Sequence, residues 1–369
     1  MNLLKSKREA LLEPLHSVTG IIERRHTLPI LSNVLLSRND AHVDFVATDI
    51  EIEITASMTA EGTGENKKIT VGARKLFDIL RALPEGSEVT LAVQDKKLQV
   101  RSAKSRFNLQ TLSAEDFPRL ATADSTPTRF SVPQKLLKSL LGLVQYAMAQ
   151  QDIRYYLNGL LMVIDEGQLK LVATDGHRLA FASRDAGGEN LAKQEVILPR
   201  KTIIELSKLL GDNEDPVAVE LSTAQAKFSF GKVVLISKLV DGKFPDYGRV
   251  IPQNQTKKLR LDRIVLLQAL QRAAILTSDK YRGVRWVLEE GSLKISCNNT
   301  EQEEAQEELD VPYKGESLDI GFNVSYLVDV LNNLDCAEIE CGLGDANSSA
   351  LFTVPGRTDF KYVVMPMRI

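Results

Sequence analysis

An acid and an imidazole near the middle of the chain are the pair most suggestive of catalysis. Asp175 and His177 stand two positions apart, directly after the apolar run Val172–Thr174. If a strand continued through them, both side chains would lie on one face, where a carboxylate can orient a histidine that acts as a general base. No Ser or Cys stands in an elbow-type sequence that would supply the nucleophile. The sequence therefore favours the alternative, a polar turn packed against its domain.

No other segment offers a catalytic or cofactor-binding pattern. Gly342-Leu343-Gly344-Asp345 lacks the third glycine of a phosphate-binding loop. The four histidines are scattered, and no paired Cys-x-x-Cys motif accompanies them. Three cysteines are too few, and odd in number, to imply a disulfide framework. We therefore expect no metal and no cofactor.

Composition is that of an ordinary globular protein. The 369 residues carry a formal net charge of −3, which excludes a bulk-basic nucleic-acid binder. The apolar runs are too short to span a bilayer, and the first residues lack the apolar core of a signal peptide. We expect a reduced, cytoplasmic protein without membrane contact.

The turn at Asp175 has a counterpart on each side. Asp49 ends a similar segment 126 positions upstream, and Asn299 ends a weaker one 124 positions downstream. A helical pattern of two apolar residues, an acid, an apolar residue and a closing leucine also occurs three times; it covers Leu76–Leu83, Ile203–Leu210 and Leu327–Leu334. Two elements that recur in register indicate one unit repeated three times.

The repeat predicts three domains of about 123 residues, close to the commonest domain size. We name them repeat 1 (residues 1–125), repeat 2 (126–254) and repeat 3 (255–369). Each opens with a helix: Pro14 should kink or delay the first, Pro133 should begin the second, and Asp262 should cap the third.

A second helix and several strands complete each repeat. Strands are predicted over Leu28–Leu36, Tyr155–Ile164 and Val284–Leu288, and alternating strands close each repeat. Two helices and about eight strands per repeat indicate an α+β fold with largely antiparallel sheets.

Charge patterns suggest two surfaces. Basic residues cluster in or beside the predicted helices, so equivalent helices brought together by the repeat could contact phosphates without reading bases. The alternative is that they form ordinary solvated helix faces. The last strands of repeat 1 are basic and Glu301–Asp310 of repeat 3 is acidic, which suits head-to-tail pairing into a ring. The alternative here is a solubilising acidic edge.

A family resemblance covers the whole chain. Its motifs are Ala173-Thr174-Asp175-Gly176-His177-Arg178-Leu179, the segments Asp152–Gly159, Ser237–Tyr247 and Gly321–Tyr326, and the tail Val363–Arg368. Together they closely resemble the bacterial β sliding clamps, the processivity subunits of the replicative DNA polymerase. The resemblance implies a ring-shaped homodimer of six clamp domains that encircles duplex DNA and has no catalytic activity. It further implies that short linear peptides of the polymerase, the clamp loader, other polymerases and repair proteins bind one pocket.

The resemblance also assigns residues to three sites. The peptide pocket would comprise Leu157, Thr174, Gly176, His177, Arg178, Leu179, Pro245, Arg249, Val250, Asn323, Tyr326, Ser349, Val363, Val364, Met365, Pro366, Met367 and Arg368. DNA contacts would comprise Arg25, Gln151, Tyr155, Tyr156 and Lys201. The dimer interface would join Lys75, Lys104, Arg106, Phe107 and Leu109 of one chain to Ile275, Leu276, Glu301, Glu303 and Glu304 of the other.

Two rival interpretations remain at this point. One is an enzyme that uses Asp175 and His177, and the other is a repeat-built interaction scaffold that does not bind DNA. The repeat and the lack of a catalytic constellation favour the DNA-encircling platform.

Overall fold

The computed structural model describes residues 2–23, 28–60, 65–121, 126–187, 191–253, 255–277 and 282–368. Within these ranges it contains seven α-helices and 24 strands. Each repeat contributes eight strands and two helices of ten or more residues, and repeat 2 adds one short helix. The prediction of an α+β fold with two helices and about eight strands per repeat is confirmed.

The elements follow one another in the same order in each repeat. Repeat 1 contains β1 (Asn2–Lys7), α1 (Arg8–Thr19), β2 (Asn33–Asn39), β3 (His42–Thr48), β4 (Ile52–Thr59), β5 (Lys67–Gly72), α2 (Ala73–Ala82), β6 (Glu88–Gln94), β7 (Lys97–Ser102) and β8 (Ser105–Leu112). Repeat 2 contains β9 (Thr128–Pro133), α3 (Gln134–Val144), β10 (Gly159–Asp165), β11 (Gln168–Thr174), β12 (Arg178–Asp185), β13 (Gln194–Pro199), α4 (Arg200–Leu209), β14 (Pro216–Leu221), β15 (Gln225–Phe230), β16 (Val233–Lys238) and α5 (Tyr247–Val250). Repeat 3 contains β17 (Lys257–Asp262), α6 (Arg263–Ala274), β18 (Gly283–Glu289), β19 (Ser292–Asn298), β20 (Glu304–Asp310), β21 (Leu318–Asn323), α7 (Val324–Asn333), β22 (Glu338–Leu343), β23 (Ala350–Thr353) and β24 (Phe360–Val364).

The recurring segments occupy equivalent elements. Strands β3, β11 and β19 end immediately before Asp49, Asp175 and Asn299. Helices α2, α4 and α7 are each ten residues long and begin directly after a strand. Their apolar residues recur at helical spacing, and in α7 the buried side chains include Leu327, Val330 and Leu331.

The chain packs as two compact units that cut across the repeats. Unit 1 comprises Met1–Leu136 and Ile204–Leu239. Its strands form one antiparallel sheet in the order β1-β6-β7-β8-β5-β2-β3-β4-β16-β15-β14-β9. Strand β4 of repeat 1 pairs with β16 of repeat 2, with Leu235 opposite Ile54. A continuous ladder therefore joins two successive repeats inside this unit.

Unit 2 comprises Leu137–Ile203 and Val240–Ile369. It contains an eight-stranded sheet, β13-β10-β11-β12-β24-β23-β22-β17, and a four-stranded sheet, β20-β19-β18-β21. Strand β12 of repeat 2 pairs with β24 of repeat 3, with Leu179 opposite Val363. Antiparallel pairing between the fourth strand of one repeat and the eighth strand of the next thus occurs twice. We call this pairing the ladder joint.

Some local predictions were wrong. The predicted strand over Leu28–Leu36 begins as a 3₁₀ turn at Pro29–Ser32, because proline at the start of a turn has its φ already set. The strand predicted over Tyr155–Ile164 likewise begins with a 3₁₀ turn at Tyr155–Leu157. These turns shorten the strands that follow but leave their order unchanged.

The prolines of the opening helices also differ from expectation. Helix α1 is neither delayed nor interrupted, since it begins at Arg8 and runs through the buried Pro14. Pro133 ends strand β9 and is not the first residue of α3. Asp262 is confirmed as the N-cap of α6, where its Oδ1 accepts a hydrogen bond from the N–H of Val265 at 2.9 Å.

Candidate functional site

The carboxylate of Asp175 organises the turn between β11 and β12. Its Oδ1 accepts hydrogen bonds from the backbone N–H groups of His177 (2.9 Å) and Arg178 (3.0 Å). The hydroxyl of Thr174 donates to the carbonyl of Arg178 at 2.6 Å and accepts from the N–H of Gly176. Gly176 has a φ of +89°, a conformation that a side chain would strain. The polar groups of this turn are occupied in holding its shape.

The turn recurs in repeat 1, and repeat 3 has a wider version of it. Oδ1 of Asp49 accepts from the N–H groups of Glu51 (3.0 Å) and Ile52 (2.8 Å). Oδ1 of Asn299 accepts from those of Glu301 (3.0 Å) and Glu303 (2.9 Å). Because an amide serves in repeat 3, the turn requires an acceptor and not a negative charge. Asp175 therefore has a structural role, as the polar-turn alternative proposed.

Arg178 connects three segments behind this turn. Its Nε donates to Oδ2 of Asp175 at 3.0 Å, and its Nη1 to Oδ2 of Asp329 at 2.6 Å. Its Nη2 donates to the carbonyl of Tyr146 at 2.7 Å. The guanidinium lies 4.4 Å from the ring centre of Tyr326, in cation–π distance. Only 10% of the Arg178 side chain is exposed, so its partners hold a mostly dehydrated charge.

Aromatic side chains surround the buried arginine. Burial raises the pKa of Tyr362, whose hydroxyl donates to the carbonyl of Tyr326 at 2.9 Å. Burial raises the pKa of Tyr146 as well, so both phenols stay neutral at physiological pH. Burial by itself would lower the pKa of Arg178, but the carboxylates of Asp329 and Asp175 hold it above its ordinary value. Arg178 therefore stays protonated at physiological pH.

The C-terminal tail lies against this turn. Backbone pairing places Leu179 of β12 opposite Val363 of β24. Beyond the strand, the N–H of Met365 donates to the carbonyl of His177 at 2.9 Å, and that of Met367 donates to Gly321 at 2.8 Å. Two main-chain bonds therefore fix the course of the tail, and neither requires a particular side chain.

An apolar cluster underlies the tail. Leu179, Val363, Phe244 and Ile251 are buried in one cluster, whose other buried members are Leu161, Val163, Val172 and Ile197. Val250, which adjoins Ile251 of the cluster, is 44% exposed, and Met365 and Met367, which follow Val363 in the tail, are 48% and 37% exposed. The surface thus has a rigid apolar base and adaptable exposed thioethers, which suits recognition of apolar side chains.

The other predicted pocket residues lie in the same unit. Leu157 is buried in the 3₁₀ turn, and Val364 is buried opposite Ala350, the neighbour of Ser349. Asn323 caps α7 through its side chain. The exposed or half-exposed members are His177, Pro245, Arg249, Tyr326, Pro366 and Arg368. Hydrogen bonds, strand pairing or ring contact join Thr174, Gly176, His177, Arg178, Leu179, Tyr326, Val363 and Met365. Outside this group, Arg249 pairs with Asp246 at the start of its own short helix.

Three models of one family match the chain in succession. They describe the N-terminal domain of the DNA polymerase III beta subunit (residues 2–121), its central domain (131–246) and its C-terminal domain (248–368). The chain belongs to the DNA polymerase III beta subunit family. Members of this family are sliding clamps, non-catalytic subunits that confer processivity on the polymerase.

Individual relatives agree over their full length. The chain is 47% identical to the beta sliding clamp of Pseudomonas putida and 46% identical to that of Escherichia coli K12, covering 98% of this chain and 99% of each relative. A crystal structure of the Pseudomonas aeruginosa sliding clamp bound to griselimycin superposes with a TM-score of 0.96 at 46% identity, covering 100% of both chains. The predicted membership of the sliding clamp family is confirmed.

The loop predicted to contact DNA precedes β10 in this clamp chain. Gln151 is exposed with a φ of +57°, and Tyr155 is 57% exposed. The rings of Tyr155 and Tyr156 meet edge to face at 5.9 Å. Both Nε and Nη2 of Arg154 donate to Asp152, which lowers the pKa of that carboxyl to about 2. Lys201 lies at the start of α4, and Arg25 is outside the described residues.

Several basic residues of the helices are bonded within the chain, either to backbone carbonyls or to carboxylates. Arg74, Arg200 and Arg263 donate to backbone carbonyls, and Arg272 and Lys208 pair with Glu307 and Glu205. These five cations are therefore occupied by partners within the chain, which neither alternative predicted. The charge available to DNA is accordingly smaller than the count of basic residues suggested.

Sequence reasoning missed several residues of the site. Asp329 is absent from the predicted pocket although it pairs with Arg178, and Gly321 is absent although it anchors the tail. Tyr146 is likewise absent, although it contributes a backbone carbonyl and a ring face to Arg178. The acid of the repeated helix pattern was the one available signal for Asp329, and no local signal marks the other two. Across the described residues there is no cluster of acids, histidines or cysteines suited to a metal.

Proposed function

We propose that this protein is a DNA sliding clamp that works as a head-to-tail homodimer. Six clamp domains close into a ring around duplex DNA, and the ring slides without sequence preference. Its peptide pocket tethers the replicative polymerase, and the clamp loader, other polymerases and repair proteins use the same pocket. The protein supplies attachment and no chemistry of its own.

The observation that carries the proposal is the ladder joint between successive repeats. Repeat 1 joins repeat 2 through β4 and β16, and repeat 2 joins repeat 3 through β12 and β24. By position in the repeat, β20 is the counterpart of β4 and β12, and β8 is the counterpart of β16 and β24. Strand β20 is an edge strand, and β8 reaches β5 only through Thr111 and Leu112. Strands β8 and β20 of one chain therefore each lack the partner that their counterparts have. We call them the two open half-joints.

The two open half-joints have opposite charge. Lys104 and Arg106 stand at the start of β8, and Glu304 begins β20 after Glu301 and Glu303. Unpaired edges invite pairing with another chain, and complementary charge selects the head-to-tail orientation. Pairing β8 with β20 of a second copy would reproduce the joint twice by symmetry. Such a contact closes into a ring if the rotation allows it.

Apolar side chains accompany both half-joints. Phe107 is 37% exposed on β8, and Ile275 is 76% exposed after α6. A cavity of about 430 Å³ beside β8 is lined by Lys75 and Leu109 among others. We place Ile275 and Leu276 of the second copy in this cavity, where they would lose contact with water.

The remaining assignments follow from the same proposal. The domains extend over residues 1–125, 126–254 and 255–369. Arg25, Gln151, Tyr155, Tyr156 and Lys201 contact the enclosed duplex, chiefly through its phosphates. In the described residues no helix has the length and apolarity needed to cross a membrane, and a cytoplasmic location suits a replication subunit.

Retention on DNA of different topology tests the enclosure. Rings loaded on closed circular DNA should remain bound at a salt concentration that abolishes direct phosphate contacts. Linearising the circle should release them within the time needed to slide off the ends. The assay is gel filtration of labelled protein and DNA before and after one restriction cut. Equal retention on circular and linear DNA would exclude enclosure.

A further inference from the structure

The acid of the repeated helix pattern has no role in the pocket assigned above. It is Asp78 in α2, Glu205 in α4 and Asp329 in α7. In α7 it pairs with Arg178, a residue of the preceding repeat, at 2.6 Å. In α4 it is buried, and a Cβ atom at Gly20 would collide with its Oε2, so this acid also lies against the preceding repeat.

Repeat 1 provides the contrast. The side chain of Asp78 is 66% exposed, and its only described ion pair is with Arg81, one turn along the same helix, at 3.6 Å. The acid thus contacts the preceding repeat in α4 and α7 and is solvated in α2. In these two helices its position suits it to join the helix to the repeat before it.

In repeat 3 the contact between Arg178 and Asp329 lies close to both hydrogen bonds that anchor the tail. Met365 is bonded to His177, which adjoins Arg178, and Met367 is bonded to Gly321, which lies three residues before α7. The ion pair between Arg178 and Asp329 therefore links the two elements that carry the tail anchors. It also holds Tyr326 under the guanidinium.

We propose that Asp329 is a positioning residue of the peptide pocket. It fixes α7 against the Asp175 turn, so that the tail and Tyr326 are already in place when a peptide arrives. Pre-organisation of this kind improves affinity because binding no longer has to order the site. Asp329 itself acts through Arg178 and need not touch the peptide. The inference rests on the proposed peptide-tethering function.

Substitution of Asp329 with matched controls tests the proposal. Griselimycin, which a Pseudomonas aeruginosa clamp binds, serves as the probe in calorimetry with the full-length protein. Asp329→Ala should weaken binding by about tenfold or more, since it leaves the guanidinium of Arg178 one partner short. Asp329→Glu should restore most of the affinity. Asp329→Asn keeps the shape of the side chain, and its griselimycin affinity should lie between those of the alanine and glutamate variants. It also provides the test if the alanine variant misfolds.

The control is an ion pair of the same repeat that lies away from the tail. Asp319→Asn removes the exposed pair between Asp319 and Arg285 and should leave griselimycin affinity unchanged within about twofold. Added salt should narrow the gap between wild type and Asp329→Ala, because the carboxylate is 41% exposed and screened. A general loss of stability would not show this salt dependence.

Three results would overturn the proposal. They are wild-type affinity in Asp329→Ala, equal losses in Asp319→Asn, and failure of glutamate to rescue. Dimer mass and retention on circular DNA, measured on the same variants, should match wild type. Those two readouts test the ring itself, so a failed pocket proposal and a failed ring proposal give different results.

Discussion

Replacing Asp175 by asparagine and by alanine separates two roles of its carboxylate, which are to hold the turn and to pair with Arg178. Oδ1 accepts from two backbone N–H groups, and Oδ2 accepts from Arg178. Asparagine keeps an acceptor at the Oδ1 position, as Asn299 does in repeat 3. Alanine removes both. The first variant should therefore preserve the turn, and the second should open it.

The expected magnitudes follow from the groups that lose partners. Hydrogen bonds to a charged group contribute about 1.5–3 kcal/mol each, and alanine removes two from backbone donors, one of them partly buried, so it should cost the turn about 3 kcal/mol. Asparagine loses only the contact with Arg178, which keeps Asp329 and the carbonyl of Tyr146, and should cost about 1 kcal/mol.

Hydrogen exchange at the amides of His177 and Arg178 measures the free energy of opening this turn. Since about 1.4 kcal/mol corresponds to tenfold, exchange should accelerate about 100-fold in Asp175→Ala and by less than tenfold in Asp175→Asn. Asn299→Ala is the matched control, because it should open the turn of repeat 3 and leave His177 protected. Similar acceleration in both Asp175 variants would show that the negative charge, and not the acceptor geometry, holds the turn.

Three further predictions concern the pocket, the dimer and the DNA-facing loop. Deleting residues 365–369 should abolish griselimycin binding in calorimetry, because each buried apolar anchor contributes about 1.5–3 kcal/mol, while an unchanged dimer mass would confirm that the ring is intact. Ile275→Asp with Leu276→Asp should give monomers of 40.9 kDa by light scattering, and a stable dimer would refute the proposed interface. Hydrogen bonds from Arg154 lower the pKa of Asp152 from 3.8 to about 2, so the pair should stabilise the loop fully above pH 3.8 and lose this effect as pH falls through about 2. An NMR titration of the Asp152 carboxyl carbon with a midpoint near 3.8 would contradict that assignment.

Local pattern was sufficient to predict the repeat. The turns after β3, β11 and β19 and the helices α2, α4 and α7 depend on residues within ten positions of one another, so their signals survive in a single sequence. Family motifs then suggested the pocket residues, an assignment that stays a prediction; among them, backbone contacts join Leu179 to Val363 and Met365 to His177.

The errors have equally specific causes. The contact between Arg178 and Asp329 joins residues 151 positions apart, and no local pattern reports such a partner. The 3₁₀ turn at Pro29–Ser32 has strand-like composition, so periodicity alone could not distinguish it from a strand. Pro14 stays within α1 because tertiary packing buries it, which overrides its helix-breaking tendency.

The ladder between β4 and β16 has a consequence for chain cleavage. Five residue pairs join repeat 1 to repeat 2 in this ladder, and Lys238 of repeat 2 pairs with Glu51 of repeat 1 at 3.0 Å. A protease that cut the connector near residues 121–128 would break one peptide bond and none of these contacts. The nicked protein should migrate as an intact molecule on a native gel and separate into two fragments only in denaturant. Repeats synthesised as separate polypeptides should, by the same contacts, reassemble when mixed.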